Sequence, residues 1–408
     1  MAWNRDGFLV PELTSDSPIP QEARDACPFQ SEQSGVSTDE DLLGAQLFPD
    51  ASNIDPKAGR YEGSYIGYSH EHRVTSSSGG IATYIFEKLL SSGAASHLFV
   101  VVADGSDYKY QMIGRDHPET NYSKTRYYPV TLDEFFEIAR KLDGKIAVSG
   151  VACFVKAIRM RQQADSMLRE KIAFVVGIIC GGLKSRQFTE YLADSSGAGL
   201  AYSAAEYRVK DATKGASNYS FSAKDQAGNT RTIPMKLVGD MWGTGMFKAK
   251  ACDFCTDVLT ELADISLGDA WLPQYRTDGL GNSVVVARTT MADRIIRDGI
   301  QRGELCASSQ PIEQIISSQR ASFSHRHDAL QFRLRQAKLF GCPSPGVRRR
   351  VLAGISLPFA LVQIQRELTR SASIRAWRKS PCHSNFDKRM KVHRLALKVL
   401  TRINHWFR

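Results

Sequence analysis

Residues 145–179 constrain the fold more than any other stretch. KIAVSG (145–150) is a short apolar run, ACFVKAIRMRQQADSMLRE follows with helical character, and KIAFVVGII (171–179) is a second apolar run. Strand, helix and strand in this order require two parallel strands joined by a right-handed crossover. A parallel pair needs cover on both faces, so the chain must build an α/β core. Open α/β sheets hold their ligands at the carboxyl ends of the strands. Cys153 follows the first strand and Cys180 ends the second, so two thiols are expected at one edge of the sheet.

The remaining elements fill out a mixed α/β chain. Residues 1–60, rich in Ser, Pro, Asp and Gly from about residue 11, read as an irregular N-terminal arm. A first α/β unit is expected over 61–150. There Gly79-Gly80 precedes an amphipathic helix with Ile81, Tyr84, Ile85 and Leu89 on one face, and HLFVVVA (97–103) is a buried strand. Thr131-Leu132-Asp133-Glu134 has capping-box spacing before the helix FFEIARKL. A second unit, 151–310, includes a polar β insertion over 200–250 that turns at 225–229, then the strands ADISLGDAW and SVVVART. A helical segment (311–345) and a basic tail (346–408) complete the chain.

Charge and cysteine content narrow the function classes. The net charge of +10 is uneven: residues 346–408 hold 15 Lys and Arg against Glu367 and Asp387, while the first 345 residues hold 38 basic and 41 acidic groups. A near-neutral body argues against a nucleic-acid enzyme, which concentrates positive charge around its working cleft. The start, MAWNRDGFLVPEL, has no secretory pattern, and the longest apolar stretch, 351–364, is too short to span a bilayer and contains Pro358. Eight cysteines in such a chain fit a cytoplasmic, reducing setting and metal or redox chemistry. In 388–408, Val392, Leu395, Val399, Ile403, Trp406 and Phe407 share a helical face among Lys and Arg, the pattern of a basic amphipathic helix on anionic lipid or of a helix docked on the body.

Two constellations carry chemistry. KACDFC sets Cys252 and Cys255 three positions apart, so both thiols can grip one centre from a single turn. With Cys153 and Cys180 they make a four-thiol set that satisfies either a 4Fe–4S cluster or a tetrahedral zinc. The loop Ser76-Ser77-Ser78-Gly79-Gly80 lets backbone amides approach an anion at a helix start, which suits a nucleotide pyrophosphate or an ordinary helix entry. Lys156, three positions after Cys153, reads as a surface helix residue. His325-Arg326-His327-Asp328 reads as the solvated opening of a polar helix, and Cys306, Cys342 and Cys382 as plain thiols.

These motifs resemble a known family. SSSGGIATYIFEKLLSSG, GVACFVKAIR, GIICGGLKS and KACDFC followed by ADISLGDAW are together similar to the coenzyme F420 hydrogenase/dehydrogenase beta-subunit family, over roughly residues 60–310. The resemblance implies an FAD-bearing iron–sulfur oxidoreductase with a mixed α/β core. Its relatives exchange electrons with coenzyme F420, reduce pigments, or accompany surface-polysaccharide production. It implies a cluster on Cys153, Cys180, Cys252 and Cys255, and FAD against Ser77, Ser78, Gly79, Gly80 and Thr83. Arg126 and Tyr127 resemble a cofactor-contacting step, and Asp264 and Asp269 lie on the motif strand as cofactor contacts or loop caps. A redox partner or small electron carrier would exchange electrons with the site. Only Cys27-Pro28 remains of the N-terminal cysteine run seen in relatives, and Ala152 stands where relatives have Pro. The competing expectation is a catalytically inactive, membrane-peripheral assembly or binding protein of polysaccharide production.

Overall fold

The parallel pair around Cys153 and Cys180 lies inside an eight-stranded sheet in the computed structural model, which describes residues 1–12, 18–19, 21, 24, 27–29, 39–114 and 124–407. Two small antiparallel pairs come first, β1 (Ala2–Trp3) with β2 (Leu9–Val10) and β3 (Asn53–Asp55) with β4 (Gly59–Tyr61). The large sheet begins with β5 (Gly63–Ser69), β6 (His97–Asp104), β7 (Asp107–Gly114), β8 (Ile146–Val151) and β9 (Ile172–Ile178). The chain then leaves it for a three-stranded antiparallel sheet, β10 (Ser203–Val209), β11 (Ser220–Lys224) and β12 (Thr230–Pro234). It returns as β13 (Ile265–Asp269), β14 (Ser283–Ala287) and β15 (Leu305–Ser309), giving the spatial order β15-β5-β14-β13-β9-β8-β6-β7.

Strands β6, β8, β9 and β13 run parallel. Strand β5 points the same way, because it is antiparallel to β14, which is antiparallel to β13. Their carboxyl ends therefore deliver the segment after Ser69, Cys153, Cys180 and Asp269 to one edge. Strands from either side of residue 150 interleave, with β5 seated between β14 and β15, so one sheet runs through both expected α/β units.

Both faces of this sheet are covered. Along β9, Val176 packs with the predicted face of the helix Ile81–Ser91, while its neighbour Val175 packs with Val155 and Ile158 of the helix Ala152–Ala164. All of these aliphatic side chains are fully buried. Burial on that scale, at roughly 25 cal/mol per Å² of apolar surface, is what holds the layers together.

Several expectations needed revision. The helix after β8 is two helices, because Asp165 turns its side chain onto the N–H groups of Met167 and Leu168 and caps a second one, Ser166–Lys171. The helix Phe135–Lys141 forms without the expected box, since Glu134 makes no side-chain cap. Within the described part of the N-terminal arm, Asp39 caps a helix, Glu40–Leu47, whose Leu43 is fully buried against the body. Residues 13–17, 20, 22–23, 25–26 and 30–38 of the arm lie outside the described residues. The 200–250 insertion is polar only on its outside: Tyr207 and Phe221 are buried in an aromatic cluster.

The basic tail is part of the folded body. Helices Leu357–Lys379 and His383–Trp406 form a hairpin whose Trp377, Phe386 and Met390 are buried against Tyr191 and Phe247. The Trp377 indole N–H donates to Glu190 at 2.8 Å. Upstream, Arg348 is fully buried and pairs with both oxygens of Glu261, at 2.9 and 2.8 Å. The apolar face read from the sequence points outward instead, with Val392, Leu395 and Trp406 at 73%, 60% and 77% exposure. Among the described residues no helix is long and apolar enough to cross a membrane.

Candidate functional site

Each thiol reaches the edge by its own local route. Cys153 sits in the first turn of the helix Ala152–Ala164, which opens directly off β8, and Cys180 lies two residues beyond the end of β9. Cys252 and Cys255 lie on and just after a 3-10 turn, Lys250–Phe254. That turn is stitched to the segment after Cys180 by an antiparallel bridge between Lys184 and Lys248 and by the Ala249 N–H donating to Leu183 at 2.9 Å. Two amides then face sulfur: Gly182 N–H donates to Cys180 Sγ and Leu183 N–H to Cys252 Sγ, both at 3.2 Å.

The thiols are close enough to repel one another. Burial, reinforced by the other three sulfurs, pushes Cys153 far up, and burial with Cys180 pushes Cys252 up to about 11. Burial also raises Cys255. Four thiolates at such a place need a metal centre to displace their protons and supply positive charge. The donor set, four cysteine sulfurs with two amide N–H groups aimed at them, fits a centre held by thiolates, as an iron–sulfur cluster is.

Around the thiols lies a charged shell that the sequence did not announce. His325 to Asp328 form a π turn in which Arg326 and His327 are buried, rather than a solvated face. Arg326 donates to the carbonyls of Asp257 and Cys180. Burial opposes its charge, but Cys255, Cys180 and Cys252 outweigh that and hold the guanidinium above its ordinary range. Lys248 contacts Asp253 at 2.5 Å and His325 Nε2 at 2.9 Å. Against the cost of burial, Lys248, His325 and Arg370 hold Asp253 far below the usual carboxylate range. Lys156 is also buried, 3.2 Å from Glu40, where a surface position was expected. Pro28 and Phe29 line a cavity of about 20 Å³ against Cys153 and Cys255, while Cys27 itself is exposed. Cys306 is exposed, and Cys342 and Cys382 are free and partly exposed.

The glycine loop lies at the same edge. Gly80 caps the helix Ile81–Ser91 in the left-handed conformation, φ +81°, with no side-chain cap on the first amides. Gly79 has no room for a side chain: a Cβ there would stand 2.6 Å from the Gly67 carbonyl oxygen and 2.8 Å from Ser283 N. Ser77 Oγ accepts from Thr125 N–H at 2.9 Å and so joins the loop to Arg126 and Tyr127. Ser76 and Thr83 hydroxyls are 3.4 Å apart, and Ser78 donates to Asn282 O at 3.1 Å. Arg126 is half-buried over the Tyr108 ring, its Nε is buried with no hydrogen-bond partner, and burial lowers its pKa. An under-satisfied guanidinium beside a helix start fits an anionic group of a cofactor. Tyr127 packs edge-on against Trp242, 4.8 Å between ring centroids, and Trp242 in turn lies against Gly181, next to Cys180.

The two strand aspartates part company. Asp269, at the carboxyl end of β13, pairs with the buried Arg208 at 2.5 Å. Asp264 lies at the other end of the strand, about 16 Å away at the usual rise, where its Oδ2 accepts from Arg159 at 2.8 Å and Val175 N–H at 2.6 Å. Only Asp269 stands at the edge with the thiols. Lys210, missed in the sequence, donates to the carbonyls of Arg73, Ser78 and Leu280, and burial lowers its pKa to about 8. The signal was available: Arg208 and Lys210 alternate in YRVK, so a strand sends both to one face.

Comparison with known proteins gives the chain's relatives. Residues 143–312, which include all four thiols and Asp269, match the family described as the C terminus of the coenzyme F420 hydrogenase/dehydrogenase beta subunit. The chain is 25% identical over 277 residues to coenzyme F420 hydrogenase subunit beta of Methanosarcina barkeri, an alignment covering 64% of this chain and 86% of that one. A solved chain of the F420-reducing NiFe hydrogenase complex from Methanosarcina barkeri shares the fold with a TM-score of 0.53 at 24% identity, over 72% of this chain and 98% of that one.

Proposed function

This chain belongs to the coenzyme F420 hydrogenase/dehydrogenase beta-subunit family, and from that footing we propose that it is an iron–sulfur flavoprotein oxidoreductase. Cys153, Cys180, Cys252 and Cys255 would hold a 4Fe–4S cluster, and Ser77, Ser78, Gly79, Gly80 and Thr83 would cradle FAD with Arg126 and Tyr127 alongside. A flavin supplies hydride chemistry and a cluster one-electron steps, so together they couple a hydride carrier to a one-electron partner. The residues around them bind, orient and exclude water. Arg126 and Lys210 bring positive charge to the loop, with Lys210 fixed by three carbonyls. Arg208 orients Asp269 at the same edge, and the Tyr127–Trp242 contact fills the space between loop and thiols with apolar surface. Arg326 and Lys248 offset the negative charge of four thiolates.

The observation that carries this reading is the convergence of four thiols at one sheet edge, with two amide N–H groups aimed at sulfur. Coenzyme F420 is the hydride carrier to which the relatives' names point. The test is anaerobic addition of reduced coenzyme F420, NADPH or reduced ferredoxin while the flavin absorbance is followed. Bleaching by one of them, with onward transfer to a viologen dye lost in Cys252→Ser, supports the proposal; no bleaching by any of them contradicts it.

The eight cysteines of the chain suit a cytoplasmic, reducing setting. The hairpin's outer stripe, Val392, Leu395 and Val399, lies among Lys388, Lys391 and Lys398, with Asp387 the only acid of its helix. That combination supports contact with an anionic membrane surface from one side.

A further inference from the structure

A cavity of about 110 Å³ opens between the thiol edge and the first helix of the hairpin. Gly181, next to Cys180, and Asp253, next to Cys252, form its inner side, and Trp242 adds an apolar wall. The far side comes from Gln363, Arg366 and Arg370 of the helix Leu357–Lys379, outside residues 143–312 that match the family. At about 30 Å³ per water, the space holds three or four waters or one small ligand group.

The lining is unbalanced in charge. Lys248, Arg326, Arg333, Arg366 and Arg370 face it, against Asp253 and Glu367 alone. His325 adds nothing negative, and burial with Lys248 and Arg333 nearby keeps it neutral. A second observation is independent of that count. Gln363 is 2% exposed, and its Oε1 accepts from Arg333 Nη1 at 3.0 Å. Arginine can only donate, so the amide orientation is fixed by that contact. Its Nε2 is then a buried donor without a hydrogen-bond partner. A stranded donor in a cationic cavity calls for an acceptor with negative charge.

We propose that this cavity binds a small oxyanion, the carboxylate or phosphate end of a ligand, beside Cys180 and Cys252. Gln363 Nε2 donates to it, and the guanidinium groups of the hairpin helix supply its counter-charge. Binding needs only the folded chain. Its placement next to a redox cluster rests on the function proposed above, and there a bound anion disfavours adding an electron, so it lowers the cluster's reduction potential.

The test is calorimetric titration of the anaerobically purified holoprotein with inorganic phosphate and, separately, with succinate, at constant ionic strength. One saturable site for at least one of them is expected. Gln363→Glu keeps the acceptor for Arg333 and replaces the stranded donor by a charge of the wrong sign, so it should weaken binding at least about tenfold, as should Arg366→Gln. Arg375→Gln, on the same helix but away from the cavity, should leave it unchanged. Phosphate binding alone points to a phosphate end, succinate binding alone to a carboxylate. Lack of saturable uptake by either, or uptake that Gln363→Glu leaves intact in a protein with an unaltered melting temperature, overturns the proposal. Iron analysis of the same samples keeps this outcome separate from failure of the cluster assignment.

Discussion

The guanidinium of Arg326 donates to the carbonyl oxygen of Cys180, a residue 146 positions earlier in the chain. Its other nitrogen is taken by Asp257, just past Cys255. One side chain thus ties a late helical turn to both halves of the thiol set, and places a positive charge where four thiols gather.

Removing that charge should affect folding and redox behaviour together. Arg326→Gln leaves two carbonyls short of a charged donor, at a cost of about 2–5 kcal/mol. It also removes a cation from beside the proposed cluster, so the reduction potential should fall by an amount on the order of tens of millivolts. Thermal melting and a redox titration of the same variant check both. A melting temperature that drops with an unchanged potential would confine Arg326 to a structural role.

Flavin binding should depend on Lys210 through pH. Burial lowers its pKa to about 8, aided by Lys124, Arg208 and Arg73 and opposed by Asp269. An arriving phosphate favours the charged amine, so binding takes up a proton above pH 8. Affinity for FAD should therefore be highest below pH 8 and fall as pH rises past it, by up to about tenfold per unit. Lys210→Met should flatten that dependence. Fluorescence titration of the apoprotein with FAD at pH 7 and pH 9 measures it.

Gly79→Ala should disturb the loop from within. The added methyl meets backbone of Gly67 and Ser283, neither of which can rotate away. A shift of the loop costing about 1–3 kcal/mol is expected, with loss of bound flavin while the iron content of the thiol set is kept. Iron and flavin assays on one preparation distinguish this from general misfolding, in which both fall together.

The hairpin should separate into an inner and an outer role. Trp377→Ala removes a buried indole and its bond to Glu190 and should cost about 3–5 kcal/mol. Leu395→Asp with Val399→Asp changes two exposed positions and should leave the melting temperature nearly unchanged while abolishing flotation with anionic liposomes. Equal flotation of the double variant and the parent would remove the membrane contact.

What the sequence revealed followed from local pattern. The parallel pair over 145–179 is visible as two apolar runs flanking a helix, and strand polarity alone brings Cys153 and Cys180 to one edge. Asp264 and Asp269 could also have been separated in advance, since residues five apart on a strand occupy opposite ends. Arg326 could not be read this way. HRHD looks polar and solvated in sequence, and its burial arises only because a distant carbonyl and a thiol set accept its charge. Lys156 was misjudged for the same reason, its partner Glu40 belonging to a helix in the arm expected to be irregular. On the hairpin the apolar set read from the sequence is the exposed one, while Phe386, Met390 and Leu397 hold the helix down. Periodicity finds apolar faces but does not say which of two faces meets the body.

The central claim is that Cys153, Cys180, Cys252 and Cys255 hold a redox cluster beside a flavin. Its most direct test is metal, sulfide and flavin analysis of protein purified without oxygen. Protein so prepared should be brown, with about four irons and matching sulfide per chain, bound FAD, and loss of the iron in Cys252→Ser. A colourless protein carrying one zinc per chain and no flavin would contradict it.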